Sequence, residues 1–150
     1  MNKGVKILLV EDNEGDIVLT LEALKEAKIN NVIQVVKDGE EALQYLRKQE
    51  RFSNMETPDL ILLDINLPKL NGKEVLAEIK KDEDLMIIPV VILTTSDSEK
   101  DILESYQYHA NCYITKSADF EKFMQVVNMI KNFWIDIVQL PNKKSNEQRN

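Results

Sequence analysis

Short runs that are wholly apolar, rather than alternating apolar and polar, constrain this chain more than any other feature. A strand with one wet face alternates; a strand buried on both faces does not. Ile7-Leu8-Leu9-Val10 ends in Glu11-Asp12, and Leu60-Ile61-Leu62-Leu63 ends in Asp64. Val90-Val91-Ile92-Leu93 ends in Thr94-Thr95, and the shorter Cys112-Tyr113-Ile114-Thr115 ends in Lys116. Val32 to Val36 reads as one further strand. Helical patterns separate these runs, so the chain reads as five β-α units. Such alternation implies an α/β fold, a parallel sheet with helices on both faces. If all strands run one way, every polar terminus lies on the carboxyl edge, where open α/β sheets bind ligands.

The intervening segments carry helix and turn signals. Leu19, Leu21, Ala23, Leu24 and Ala27 have helical spacing, with Asn13 or Glu14 near the start. Asp38-Gly39 marks a turn before Ala42, Leu43, Tyr45 and Leu46. Residues 49–59 read as a polar connection, and Leu67-Pro68-Lys69-Leu70-Asn71-Gly72 as a loop broken by Pro and Gly. Val75, Leu76 and Ile79 carry a third helix, and Pro89 opens the next strand. Ser98-Glu99-Lys100-Asp101 resembles a capping box leading into Ile102, Leu103 and Tyr106. A long last helix is expected over about residues 118–139. The polar stretch 141–150 is expected to be a disordered tail beyond a single domain at 1–140.

Composition narrows the function classes. A net charge of −7 and a pI near 4.8 argue against nucleic acid or an anionic membrane as the primary partner. Cys112 is the one cysteine, which excludes an intramolecular disulfide and a cysteine-rich metal site. No apolar stretch approaches the ~18 residues of a membrane span. The N-terminus has no signal-peptide architecture, so a cytoplasmic location is expected.

At the carboxyl edge, Glu11, Asp12 and Asp64 would converge from neighbouring strands. Three carboxylates within a few ångströms repel by several kcal/mol, and a divalent cation relieves that repulsion. Oxygen-only ligands suit Mg2+, which retains waters and can share a phosphate oxygen. Asp64 follows the most hydrophobic strand and is the best nucleophile, since a carboxylate can attack phosphorus to form an acyl phosphate. Lys116 would offset charge on the transferring oxygens. Thr94 could hydrogen-bond a phosphoryl oxygen, and Thr95 is nearly as well placed.

These residues, in this order, resemble the receiver domain of two-component response regulators. The matching pieces are Leu9-Val10-Glu11-Asp12; Leu62-Leu63-Asp64-Ile65-Asn66-Leu67-Pro68 with Gly72; Pro89 to Thr94; and Tyr113-Ile114-Thr115-Lys116, together spanning about residues 5–139. The resemblance implies a flavodoxin-like (βα)5 three-layer sandwich with strand order 2-1-3-4-5, which sets the first and third strands side by side. It implies that Asp64 accepts a phosphoryl group from a histidine kinase. Asp12 and Asp64 would ligate Mg2+ by side chain, Asn66 by its carbonyl, and Glu11 directly or through water. Thr94 and Lys116 would contact the phosphoryl group, and Tyr113 would change rotamer as Thr94 moves. Asn66 and Ser96 would tune hydrolysis. A narrower likeness, to small single-domain regulators served by phytochrome kinases, rests on Leu67-Pro68-Lys69, Leu93 to Ser96, Asn111 to Ser117 and Phe133-Trp134.

One departure is Ser117, where most receivers have proline after the lysine. The bond there is usually cis in the family, and before serine it would cost about 2.5–4 kcal/mol. Either a strained cis peptide or a reshaped loop is expected. No DNA-binding segment follows, so output is expected through surface contacts. In the last helix, Phe120, Phe123, Met124, Val127, Ile130, Trp134 and Ile137 make one apolar stripe, and Val126, Met129 and Phe133 a second. One stripe suffices to cover a sheet, so the second is a candidate homodimer interface; the other reading is a broad buried face. His109 is read as part of a helix-to-strand connection rather than a phosphohistidine relay. Three other functional classes compete. A haloacid-dehalogenase-type hydrolase generally has Asp-x-Asp, where this chain has Asn66. The intact Asp64, Thr94 and Lys116 set argues against an unphosphorylated interaction module. Flavodoxin-like cofactor binding lacks a suitable loop after the first strand: Glu11-Asp12-Asn13-Glu14-Gly15 would repel phosphate without a metal.

Overall fold

The computed structural model describes residues 5–27 and 31–116, with residues 121, 124, 125, 128, 129 and 132. In chain order the elements are β1 (Val5–Val10), α1 (Glu14–Glu26), β2 (Asn31–Val36), α2 (Gly39–Leu46), a 3-10 turn (Glu50–Phe52), β3 (Leu60–Leu63), α3 (Gly72–Lys81), β4 (Val90–Thr94), α4 (Glu99–Gln107) and β5 (Cys112–Thr115). Every strand pair is parallel, and the order is β2-β1-β3-β4-β5, as the resemblance implied.

The unbroken apolar runs follow from this architecture. Successive strand residues point to opposite faces. Leu8, Val10, Ile61, Leu63, Val90 and Ile92 join one buried cluster with Val75, Leu76 and Ile79 of α3 and Ala42, Leu43 and Leu46 of α2. Ile7, Leu9, Leu60, Leu62, Val91 and Leu93 face the other way, onto Ala23 and Leu24 of α1. Half-buried Met124, in the last segment, packs against this second cluster, as does half-buried Cys112. A polar side chain in place of any of these buried apolar strand residues would therefore be left without a partner, which costs about 1–3 kcal/mol.

Helix starts are fixed by side-chain caps. Asn13 accepts from the Asp16 amide at 2.9 Å, and Asp38 accepts from the Glu41 amide at 2.7 Å. Asn71 accepts from the Glu74 amide, and the Glu74 carboxylate returns to the Asn71 amide, closing a reciprocal box. Asn71-Gly72 thus begins α3 instead of ending a loop. Asn71→Ala is expected to lower stability by about 1 kcal/mol, measured by urea unfolding; an unchanged midpoint would contradict the cap. At Ser98 only half of the expected box forms. Its hydroxyl accepts from the Asp101 amide at 3.1 Å, while the Asp101 carboxylate is engaged elsewhere.

Two other expectations are corrected. The 49–59 connection is not purely polar: its 3-10 turn buries Phe52 against Tyr45, with ring centroids 5.3 Å apart and Arg51 over the Phe52 ring. In α4, Leu103 and Tyr106 do not face the core; both are exposed, and Ser105 is the buried residue. A small residue on the inward side lets α4 lie close to its neighbours without a large apolar footprint. His109 is exposed at φ 70°, in the left-handed turn leading to β5, consistent with its reading as a connection. Val126, Phe133, the tail 141–150 and the Lys116–Ser117 bond lie outside the described residues; Met129 is described and exposed.

Candidate functional site

The parallel ladders deliver the site residues to one edge. Val10 is in register with Leu63, so Glu11 and Asp64 emerge side by side. The ladder continues past both strand ends: the Asp64 amide donates to the Val10 carbonyl at 3.0 Å, and the Glu11 amide to the Val36 carbonyl at 3.0 Å. Thr94 is in register with Thr115, and the Lys116 amide donates to the Thr94 carbonyl at 2.6 Å. Glu11, Asp64, Thr94 and Lys116 are consequently held on fixed backbone and are all buried.

Glu11, Asp12 and Asp64 each offer one carboxylate oxygen, all within 4.8 Å of one another. The Asn66 amide donates to Asp64 Oδ1 at 3.2 Å, which fixes that carboxylate. Lys116 Nζ binds Glu11 Oε1, Asp16 Oδ2 at 3.0 Å and Asp64 Oδ2 at 3.6 Å. Burial and the neighbouring Asp64 push the Glu11 carboxyl up to about 7, against the opposing pull of Lys116. Burial alone would lower the Lys116 ammonium; Glu11, Asp64 and Asp16 together outweigh it and raise the value. The acids are thus crowded enough for one of them to retain a proton near neutrality. Three convergent oxygens with that excess of negative charge fit a hard divalent cation.

Thr94 is fully buried while Thr95 is exposed, so the structure separates two residues that the sequence left nearly equivalent. The Ser96 amide donates to Thr94 Oγ1 at 3.4 Å. Tyr113 donates its hydroxyl to the Ser96 carbonyl at 2.7 Å, tying β5 to the loop after β4. Asn66 is exposed beside Asp64.

Two residues join this edge in roles not expected from sequence: Asp16, and Gly72, whose place in the motif around Asp64 did not reveal its packing. Asp16 meets Lys116 because the Asn13 cap starts α1 immediately after the first acidic pair. Gly72 packs against the Asp64 backbone, where a Cβ would lie 2.2 Å from the Asp64 carbonyl oxygen. An acid in the first turn of a helix and a glycine directly after a helix cap were the available signals.

Residues 7–128 match the response regulator receiver domain family. The chain is 47% identical over 135 residues to response regulator Rcp1 of Synechocystis sp., covering 90% of this chain and 92% of that protein. It is similar to the structure of the phosphorylated cyanobacterial phytochrome response regulator RcpA, with 51% identity, a TM-score of 0.89, and 93% and 100% of the two chains covered. The Mn(2+)-bound form of Rcp1 gives 46% identity, a TM-score of 0.87, and coverages of 92% and 99%.

Proposed function

Because the chain belongs to the response regulator receiver domain family, we propose that Asp64 accepts a phosphoryl group from a phosphohistidine of a sensor histidine kinase, in a Mg2+-dependent step. The observation that carries this reading is the meeting of buried Asp64 with Glu11, Asp12 and Lys116 at one sheet edge. An Asp64 carboxylate oxygen forms the new bond to phosphorus. The phosphorus–nitrogen bond of the donor breaks, its electron pair remaining on the imidazole. Asn66 orients the nucleophile by donating its amide to Oδ1. Lys116, 3.6 Å from Oδ2, is close enough to neutralise charge as it develops. Thr94 offers a hydroxyl from a rigid strand end, and Tyr113 and Ser96 respond to its position. Glu11, Asp12, Asp64 and the Asn66 carbonyl would hold the cation, which supplies neutralisation of phosphoryl oxygens. Manganese in Rcp1 and phosphorylation in RcpA support this reading.

Likeness to phytochrome response regulators supports a phytochrome-like kinase as the donor. Output by surface contact follows the same reading. Exposed Met129 supports a homodimer interface formed with Val126 and Phe133. Among the described residues, no helix is long and apolar enough to cross a membrane. Incubation with acetyl phosphate and Mg2+ followed by intact mass tests the proposal. One added phosphoryl group that requires Mg2+ is expected; an unchanged mass would contradict it.

The crowded acids make a further prediction. Between the ordinary value of 4.5 and about 7, folded protein holds a proton on Glu11 that the unfolded chain has released. The contribution of Glu11 to stability is therefore fully present below 4.5 and lost as pH rises through 7. A bound cation takes over the role of that proton. Mg2+ is expected to raise the unfolding midpoint clearly at about pH 8 and little at about pH 5. Equal shifts at both would contradict the shared-proton account.

A further inference from the structure

Lys73 sits where helix electrostatics disfavour a cation. It is the second residue of α3, at the positive end of that helix, and its side chain is only 18% exposed. Two α4 carboxylates hold it there: Asp101 Oδ1 at 2.7 Å and Glu104 Oε1 at 2.9 Å. Asp101 Oδ2 accepts from the Ser96 hydroxyl at 2.6 Å. Ser96 in turn receives the Tyr113 hydroxyl on its carbonyl and donates its amide to Thr94 Oγ1. The start of α3 is thereby linked through α4 to the loop that follows Thr94. Asp101 and then Glu104 raise the Lys73 ammonium, and Lys73 and then Ser96 lower the Asp101 carboxyl, as expected of charge-assisted bonds.

Ile65, Asn66, Leu67, Asn71, Lys73 and Asp101 line an open cleft. Two of these residues adjoin Asp64: Ile65 follows it in sequence, and the Asn66 backbone amide donates to its carboxylate. Lys73 and Asp101 thus line the same cleft as Ile65 and Asn66, the two residues that follow the acceptor.

We propose that Lys73 and Asp101 are positioning residues that latch Ser96, and so set the lifetime of the phosphoryl group on Asp64. The inference rests on the phosphoacceptor reading above. Hydrolysis requires a water oxygen to bond to phosphorus while the Asp64 oxygen–phosphorus bond breaks. The carboxylate is regenerated, inorganic phosphate leaves, and the water's protons pass to phosphate and solvent. A serine hydroxyl has one proton to donate, and Asp101 holds it. Released, that hydroxyl can orient an attacking water.

The full chain is loaded with acetyl phosphate and Mg2+, freed of donor by rapid desalting, and followed by intact mass. Asp101→Asn and Lys73→Met are expected to shorten the half-life about three- to tenfold, the rate equivalent of part of one charge-assisted hydrogen bond. Lys73→Arg keeps the cation and is expected to keep the wild-type half-life. In a Ser96→Ala background neither latch substitution shortens it further, and initial loading rates of Asp101→Asn and Lys73→Met stay at the wild-type level. A merely structural role would move loading and lifetime together and would not depend on Ser96. Should Lys73→Met not fold, Lys73→Gln takes its place with the same expected direction. Wild-type half-lives in both latch variants, or equal shortening with and without Ser96, would overturn the latch. A wild-type chain that never gains a phosphoryl group would overturn the phosphoacceptor reading itself, an outcome distinct from labelled chains with unchanged lifetimes.

Discussion

Asp64→Asn is expected to take up no phosphoryl group from acetyl phosphate and Mg2+, where the wild-type chain takes up one. The substitution removes the nucleophilic carboxylate while preserving shape. Its amide oxygen can still accept from the Asn66 amide, now 3.2 Å from Asp64 Oδ1. Neighbouring acids are poorly placed to substitute: Glu11 is tied to Lys116, and Asp12 is exposed at the rim. The fold is expected to survive, since the change lowers negative charge in a crowded cluster. Thermal unfolding confirms that arm, and intact mass reads the uptake. Equal labelling of both proteins would remove Asp64 from the role assigned to it.

Gly72→Ala is expected to be among the most damaging single changes in the domain. A Cβ there would meet the Asp64 carbonyl oxygen at 2.2 Å and the Ile65 Cα at 2.7 Å. Both obstacles are backbone, so no side-chain rotation relieves the contact. The start of α3 must move away, which breaks the 2.9 Å bond from the Gly72 amide to the Ile65 carbonyl and displaces the acceptor loop. A loss of about 3 kcal/mol or more is expected, toward the upper end for overpacked sites. For a chain this size that lowers the unfolding midpoint by roughly 6–12 °C. Loading of Asp64 should slow as well, because the same backbone carries it. An unfolding midpoint within about 1 °C of wild type would contradict the close approach.

The fold was legible because its cause is written in apolarity. Ile61, Leu62 and Leu63 face alternate sides of the sheet and are all buried, so no polar residue interrupts the run. The acidic edge was legible for the same reason: parallel strands place their ends together wherever those ends fall in sequence. The edge of α3 was harder to read. Glycine after a proline-containing loop suggests continued loop, yet the Asn71–Glu74 box makes Gly72 the first helical residue. Helix α4 misled through its apolar residues, because Leu103 and Tyr106 face solvent while Ser105 is buried. Ion pairs between separate helices, such as Lys73 with Asp101, have no local periodicity to betray them. The cation in the first turn of α3 was the one available hint.

One carboxylate, that of Asp64, is expected to carry the phosphorus. Borohydride cleaves an acyl phosphate by reducing its carbonyl carbon to an alcohol, so a phosphorylated aspartate becomes homoserine. After loading with acetyl phosphate and Mg2+, reduction and peptide mass analysis should find homoserine in place of Asp64 and intact aspartate at Asp12 and Asp16. Homoserine at Asp12 or Asp16 instead, or no conversion in a chain that has gained phosphate, would contradict the account.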